Sequence, residues 1–171
     1  MNVLTRPERK DLPAQRIHID ICAIPSHDRR PMMLRNCYGV DLGTSGLILQ
    51  AQSREEILAD KIVALAFRPN RIKHRDLWDI GWLKQQGIEL PLALVPAKVQ
   101  DHRHTAGEFS SQLRNRLATL KSNPAVRREF LKEMQRFLPA AIVRETVEQE
   151  AYWAYLTDLV LAEGAKAMAT E

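Results

Sequence analysis

Three acidic and three basic side chains stand out for the chemistry their spacing allows. Glu56 and Lys61 are five apart in Glu56-x-x-x-x-Lys61-x-x-Ala64-Leu65-x-x-Arg68, and Arg75-Asp76-Leu77-x-Asp79-Ile80 follows after a short loop. On a helix, Lys61 has Ile57, Leu58, Ala64 and Leu65 as neighbours at three and four residues. A lysine set among apolar residues either covers the edge of a core with its alkyl stem while the ammonium reaches water, or points into a cleft and meets an anion. Asp76 and Asp79, three apart, share a helix face. Arg75 and Asp79, four apart, have the spacing of a salt bridge, and Asp76 is placed to stabilise the helix start. Arg68, Arg71, Lys73, His74 and Arg75 gather positive charge on one loop and helix start, an arrangement that suits phosphate.

The elements that must position these residues read as follows. Arg16 to Ile24 alternates, with Ile17, Ile19, Ile21 and Ala23 on one face and His18, Asp20 and Cys22 on the other, which predicts a strand. Pro25 to Pro31 reads as a polar loop and Leu47 to Ala51 as a short strand. Ser53 opens a helix to about Phe67, three residues before Glu56 as in a capping box. Pro69 and Asn70 break it. A second helix runs from about Arg75 to Gln86 and stops at Gly87. Further helices are expected over Leu90–Val99, Ala106–Lys121, Ala125–Phe137 and Ala140–Ala165, with Pro124 and Pro139 as starters. Trp78 and Trp82 are expected in the core.

Taken together these segments have an order and spacing that resembles the AbiEii/AbiGii family of nucleotidyltransferase-like toxins, from type IV toxin–antitoxin and abortive-infection systems. The quoted motifs are a strand with a central acid, Arg16-Ile-His-Ile-Asp20-Ile21, a strand ending in Gln52-Ser53, then the Glu-x4-Lys and Asp-x2-Asp elements around Arg75-Asp76-Leu77. They span about Arg16 to Leu83, and the chain corresponds to the C-terminal two-thirds of such a protein. The implied fold class is α+β, a partial nucleotidyltransferase-like mixed sheet followed by a helical C-terminal part. The implied division is 1–52, an incomplete nucleotidyltransferase-like β region, and 53–171, a helical region carrying the Lys61 and Asp76 motifs.

The resemblance implies roles residue by residue. Asp20 is the strand carboxylate that activates an acceptor hydroxyl or completes a divalent-metal site. Lys61 binds the triphosphate, Asp76 orients Lys61 or an acceptor group, Arg68 and Arg75 support phosphate, and Glu56 and Asp79 support the site. The implied reaction transfers a nucleotidyl group from an NTP, with magnesium, onto an RNA or protein acceptor in phage defence. Such a site also needs a Gly-Gly or Gly-Ser turn and paired acids upstream of the Asp20 strand. About fifteen residues precede that strand and none forms the motif, so an incomplete site is expected, active only with the missing N-terminal half. The alternatives are a non-catalytic nucleotide- or RNA-binding module and an interaction protein that dimerises or takes a partner strand or antitoxin on an open sheet edge.

Bulk properties narrow the classes less. At 171 residues and 45% hydrophobic, the chain can build one sizeable core. It has no apolar run of membrane-span length, and its polar N-terminus lacks the apolar core of a secretory signal, so a cytoplasmic protein is expected. Cys22 and Cys37 then read as free thiols. A net charge of +4 draws polyanions without identifying one. The basic residues Arg114, Arg116, Lys121, Arg127, Arg128, Lys132 and Arg136 either touch RNA or form a solvated face with Glu129 and Glu133. His102 and His104 are expected in solvent.

Overall fold

The computed structural model describes residues 2–3, 15–16, 21, 23–35 and 43–169. Asp20 and the two cysteines lie outside these residues, as does most of the alternating strand expected over Arg16 to Ile24. The class is α+β, with short strands followed by helices. The strands are β1 (Asn2–Val3), β2 (Gln15–Arg16), β3 (Arg29–Met33) and β4 (Ile48–Gln52), with β1 paired to β2 and β3 to β4, both antiparallel. Strand β3 begins inside the segment read as a loop. Pro31 is accommodated there because the pair has only two strands, and the missing N–H can face an open edge.

The helices are α1 (Arg54–Phe67), α2 (His74–Gln85), α3 (Leu94–Asp101), α4 (Ala106–Ser122), α5 (Pro124–Met134), α6 (Ala140–Ile142) and α7 (Glu150–Met168). Each start has a local cause. Ser53 Oγ accepts the Glu56 N–H at 3.0 Å and caps α1. A full capping box joins Thr105 and Glu108 at α4. Pro124 opens α5, with Asn123 Oδ1 accepting the Ala125 N–H. Gly87, at φ +75°, follows the end of α2 as the sequence predicts.

Two expected helices differ. The segment after Leu90 becomes helical only at Leu94, because Pro91, Leu92 and Ala93 turn first, with the Leu94 N–H bonding to the Pro91 carbonyl. The single C-terminal helix expected from Ala140 is broken. A π-helical turn spans Val143–Val147, the Glu148 N–H reaches the Val143 carbonyl at 3.0 Å, and Gln149 is extended before α7. Val143 and Val147, four apart, share a face of this segment and are both buried in the core.

Helix α1 is the hub, packed against α2, α3, α4 and α7. Its Leu58, Ala59 and Ile62 are wholly buried, with Leu77 and Ile80 of α2 beside them. Each of the larger side chains contributes about 1.5–3 kcal/mol by leaving water. Helix α7 approaches its neighbours closely. A β-carbon at Gly81 would stand 2.8 Å from Leu156 Cδ1, and one at Gly164 would stand 2.7 Å from Leu117 Cδ1. Trp78 packs against Tyr152, but Trp82 is 44% exposed under Arg54, so only the first of the two expected core tryptophans packs inside.

Glu56 is half of the expected capping box. Its backbone N–H is held by Ser53, but its side chain does not return to the Ser53 N–H, which donates instead to the Asp28 carbonyl. The carboxylate is fully buried and accepts from Ser26 Oγ at 2.7 Å, the His27 N–H at 2.8 Å and the Asp28 N–H at 2.9 Å. It also pairs with the buried ammonium of Lys98 on α3, which lies 3.1 Å from Asp60 Oδ1. Burial alone would raise the Glu56 pKa, but Lys98 and the Ser26, His27 and Asp28 donors outweigh it and lower the carboxyl to about 2. This network ties the 25–28 segment and α3 to the hub.

Removing one partner of a buried pair strands the other charge. Glu56→Gln is therefore expected to destabilise by about 3–5 kcal/mol in chemical denaturation at neutral pH. Because the folded pKa is depressed, the stabilisation is complete above about pH 4.5 and is lost as pH falls through about 2. A wild type and variant of equal stability at pH 7 would contradict the pairing.

Candidate functional site

The loop between α1 and α2 sets the geometry. Asn70 adopts φ +66°, which reverses the chain after Pro69, and Ile72 anchors the loop in the core. Helix α2 then starts beside the C-terminal half of α1. Lys73 takes the position before its first turn and makes no side-chain cap; its carbonyl accepts the Asp76 N–H at 2.9 Å, and the His74 and Arg75 N–H groups at the α2 start have no side-chain cap.

Lys61 crosses from α1 to α2. Its ammonium donates to Asp76 Oδ1 at 2.8 Å and lies 2.6 Å from Asp79 Oδ2. The lysine does not extend its ammonium freely into solvent. Its stem runs along the α1 surface and its head is fixed by two carboxylates. Burial works against the charge, but Asp76 and Asp79 outweigh it and hold the pKa above the ordinary lysine value. Arg68 Nη2 stands 3.0 Å from Asp76 Oδ2. Asp76 is 2% exposed, and among the described residues its Oδ2 and the Arg68 Nε have no hydrogen-bond partner despite the ion pair.

Arg75 departs from the sequence expectation. Its guanidinium is not paired with Asp79. Nε lies 3.4 Å from Glu133 Oε1 on α5, and the guanidinium carbon sits 4.6 Å from the centre of the Phe137 ring. Asp79 turns to Lys61 because the ammonium stands on the same side as Asp76, while α5 brings Glu133, and the turn after it brings Phe137, to Arg75. Asp76 is not a side-chain cap of α2 either.

These groups line a cleft of about 290 Å³ formed by Lys61, Lys73, Arg75, Asp76, Trp78 and Asp79, closed by Met134, Phe137 and Leu138. The structure thus brings Lys61, Asp76, Asp79 and Arg75 into one cleft, with Arg68 behind Asp76. Glu56 is not among them: its partners are Lys98 and the 26–28 segment. Asp20 lies outside the described residues. Lys73, one of the basic residues gathered on the loop before α2, also lines the cleft. Its pKa is lowered by burial and, against the pull of Asp76, by the nearby charges of Arg68, Arg75 and Lys61.

Among the described residues no group of three or more histidines, cysteines or acids could hold an ion, and Asp76 and Asp79 are already engaged by cations. These residues therefore do not fit a metal centre by themselves. His102 and His104 are exposed, with His104 stacked 3.8 Å from Phe67. No helix among the described residues is long and apolar enough to cross a membrane.

A family model described as nucleotidyl transferase AbiEii toxin, type IV TA system, matches residues 3–157. The chain belongs to that family, and is a nucleotidyltransferase-like toxin of a type IV toxin–antitoxin system in that general sense. Comparison with curated proteins and with solved structures gave no match.

The two cleft acids should differ in weight. Asp76→Ala is expected to cost about 3 kcal/mol, since it leaves Lys61 and Arg68 short of a buried counter-charge. Asp79, whose side chain is 40% exposed, should cost about 1 kcal/mol or less when changed to Ala. Urea melts of both variants read the difference, and the reverse ranking would mean that Asp79 carries the pairing.

Proposed function

We propose that the Lys61 cleft binds the triphosphate of an NTP, and that the chain takes part in nucleotidyl transfer from that NTP to an RNA or protein acceptor. One observation carries the reading. At the uncapped start of α2, three cations (Lys61, Lys73 and Arg75) face one cleft with only two carboxylates. A polyphosphate entering there meets helix N–H groups and the positive side chains together.

Each residue has a distinct part. Asp76 and Asp79 hold the Lys61 ammonium in one place and keep it charged, so it needs little ordering when phosphate arrives. Lys73, with no ion-pair partner among the described residues, supplies adjustable charge, and Arg75, held by Glu133 and Phe137, supplies fixed charge. Arg68 secures Asp76 from behind. The magnesium expected from the family resemblance would bring Lewis-acid stabilisation of the phosphoryl oxygens. Its ligands would need to include Asp20, because the cleft residues described above serve phosphate binding rather than metal ligation.

A second reading is a nucleotide-binding module that does not itself catalyse. It draws on the state of the cleft acids: both are held by cations, which leaves neither in the described structure as a free general base. Transfer of label from an NTP to cellular RNA or protein separates the two readings.

Calorimetric titration with each NTP in magnesium buffer tests the shared premise. Lys61→Ala is expected to abolish binding. Lys73→Ala touches no ion pair in the described structure, so it should keep wild-type stability while binding at least about tenfold more weakly, in line with losing one charge-assisted phosphate contact. Binding of no NTP by the wild type, or an unchanged affinity in Lys73→Ala, would overturn the assignment.

A further inference from the structure

Strand pairing decides which backbone groups of β3 and β4 already have partners. The Leu34 N–H donates to the Leu47 carbonyl and the Ser53 N–H to the Asp28 carbonyl, both at 2.9 Å. The register between them sets Met32 opposite Leu49 and Arg30 opposite Ala51. Residues 28, 30, 32 and 34 therefore bond inward to 53, 51, 49 and 47, and the N–H and carbonyl groups of the alternate residues point to the two outer edges. The outer edge of β3 belongs to Arg29, Pro31 and Met33, and that of β4 to Ile48, Gln50 and Gln52.

The two edges are unequally defended. On β3, Pro31 has no N–H to offer and Arg29 adds an exposed charge, two devices that keep an edge from pairing. Strand β4 reads Ile-Leu-Gln-Ala-Gln, with no charge, proline or glycine. Among the described residues no strand pairs with its outer edge. The pair also carries an apolar face. Met32, Leu34, Leu47 and Leu49 share one side of it and are each 41–50% exposed. A contiguous apolar patch beside an undefended edge marks an interaction surface.

We infer that β4 pairs with β4 of a second copy of this chain, antiparallel about a two-fold axis through Leu49. A second copy suits this edge for three reasons. A neutral strand meets its own copy without placing like charges opposite each other. Because β4 runs directly into α1 at Ser53, antiparallel pairing sets the two helical bodies at opposite ends of the shared strands. In the four-stranded sheet so formed, both outermost edges are β3 edges interrupted by Pro31, so assembly stops at two.

In this register Ile48 exchanges hydrogen bonds with the partner's Gln50, and Leu49 faces the partner's Leu49 in the closer, non-hydrogen-bonded kind of pair. Leu47 then lies opposite the partner's Ala51, and the apolar faces of the two copies join on one side of the sheet. A stable dimer buries about 800 Å² on each partner. One five-residue strand edge covers less, so the dimer is expected to form and dissociate with concentration. The inference is independent of the nucleotide reading, since each copy keeps its own Lys61 cleft.

Sedimentation velocity from about 1 to about 100 µM protein reads the association. Wild-type protein is expected to pass from monomer to dimer and no further. Gln50→Pro removes an outward N–H without touching a β3–β4 hydrogen bond, and Leu49→Lys sets two ammonium groups face to face on the axis. Each should weaken the dimer at least about tenfold. Met33→Lys, on the β3 edge, should leave it unchanged. Circular dichroism and melting should match wild type in all three, because these side chains are exposed and the core is helical. The register is read by oxidation in a Cys22→Ser, Cys37→Ser background. Leu49→Cys should give a disulfide-linked dimer, because non-hydrogen-bonded partners stand close enough to be bridged, and Met33→Cys should not. A wild type that stays monomeric throughout, a dimer untouched by Gln50→Pro, or equal cross-linking of Leu49→Cys and Met33→Cys would overturn the inference. Growth beyond two copies would overturn the blocking role of Pro31 and with it the closed dimer.

Discussion

A helix buried on most of its sides can carry charge inward only where a neighbour brings the opposite charge to meet it. Helix α1 does this on two faces. Glu56 and Asp60 meet Lys98 of α3, and Lys61 and Arg68 meet Asp76 and Asp79 of α2. Left unmatched, either set would cost several kcal/mol in the interior. Matched, they fix how α2 and α3 sit around the hub, so the site geometry and the core geometry share a cause.

The two clusters are chemically different. Around Glu56 nearly every hydrogen-bonding position is filled by backbone and side-chain donors, and the group is sealed. Around Asp76 one oxygen lacks a hydrogen bond, Lys61 is part-exposed, and Lys73 stands near with no ion-pair partner among the described residues. A satisfied network stabilises. An over-charged one facing solvent leaves capacity for a ligand.

Much of this was legible in the residues. Ser53, Gly87 and Pro124 mark helix ends by local chemistry, and the structure ends the helices there. The Lys61, Asp76 and Asp79 grouping follows from helical spacing once α1 and α2 are placed side by side. What spacing does not carry is the partner across space. Arg75 is four residues from Asp79, yet α5, some sixty positions on, supplies Glu133. Glu56 has the sequence position of a cap, yet Lys98 takes its side chain. A lone lysine in the apolar Leu92–Val99 stretch was the available signal for that buried pair, because a cation there needs an acid. The break before α7 had no comparable signal, since a π-turn depends on which side chains the core accepts rather than on a breaking residue.

The two glycine contacts of α7 work as a key and keyway. Leu156 of α7 fits where α2 has only a hydrogen at Gly81, and Leu117 of α4 fits where α7 has only a hydrogen at Gly164. Sliding α7 by one helical turn would set Leu156 against Leu77 or Gln85 and Leu117 against Val160 or Met168, each with a side chain already in the way. The helix therefore has one axial position relative to both partners. Its length of travel is zero, and α2, which carries Asp76 and Asp79, is indexed to α4, which carries Arg116, through a single rigid rod.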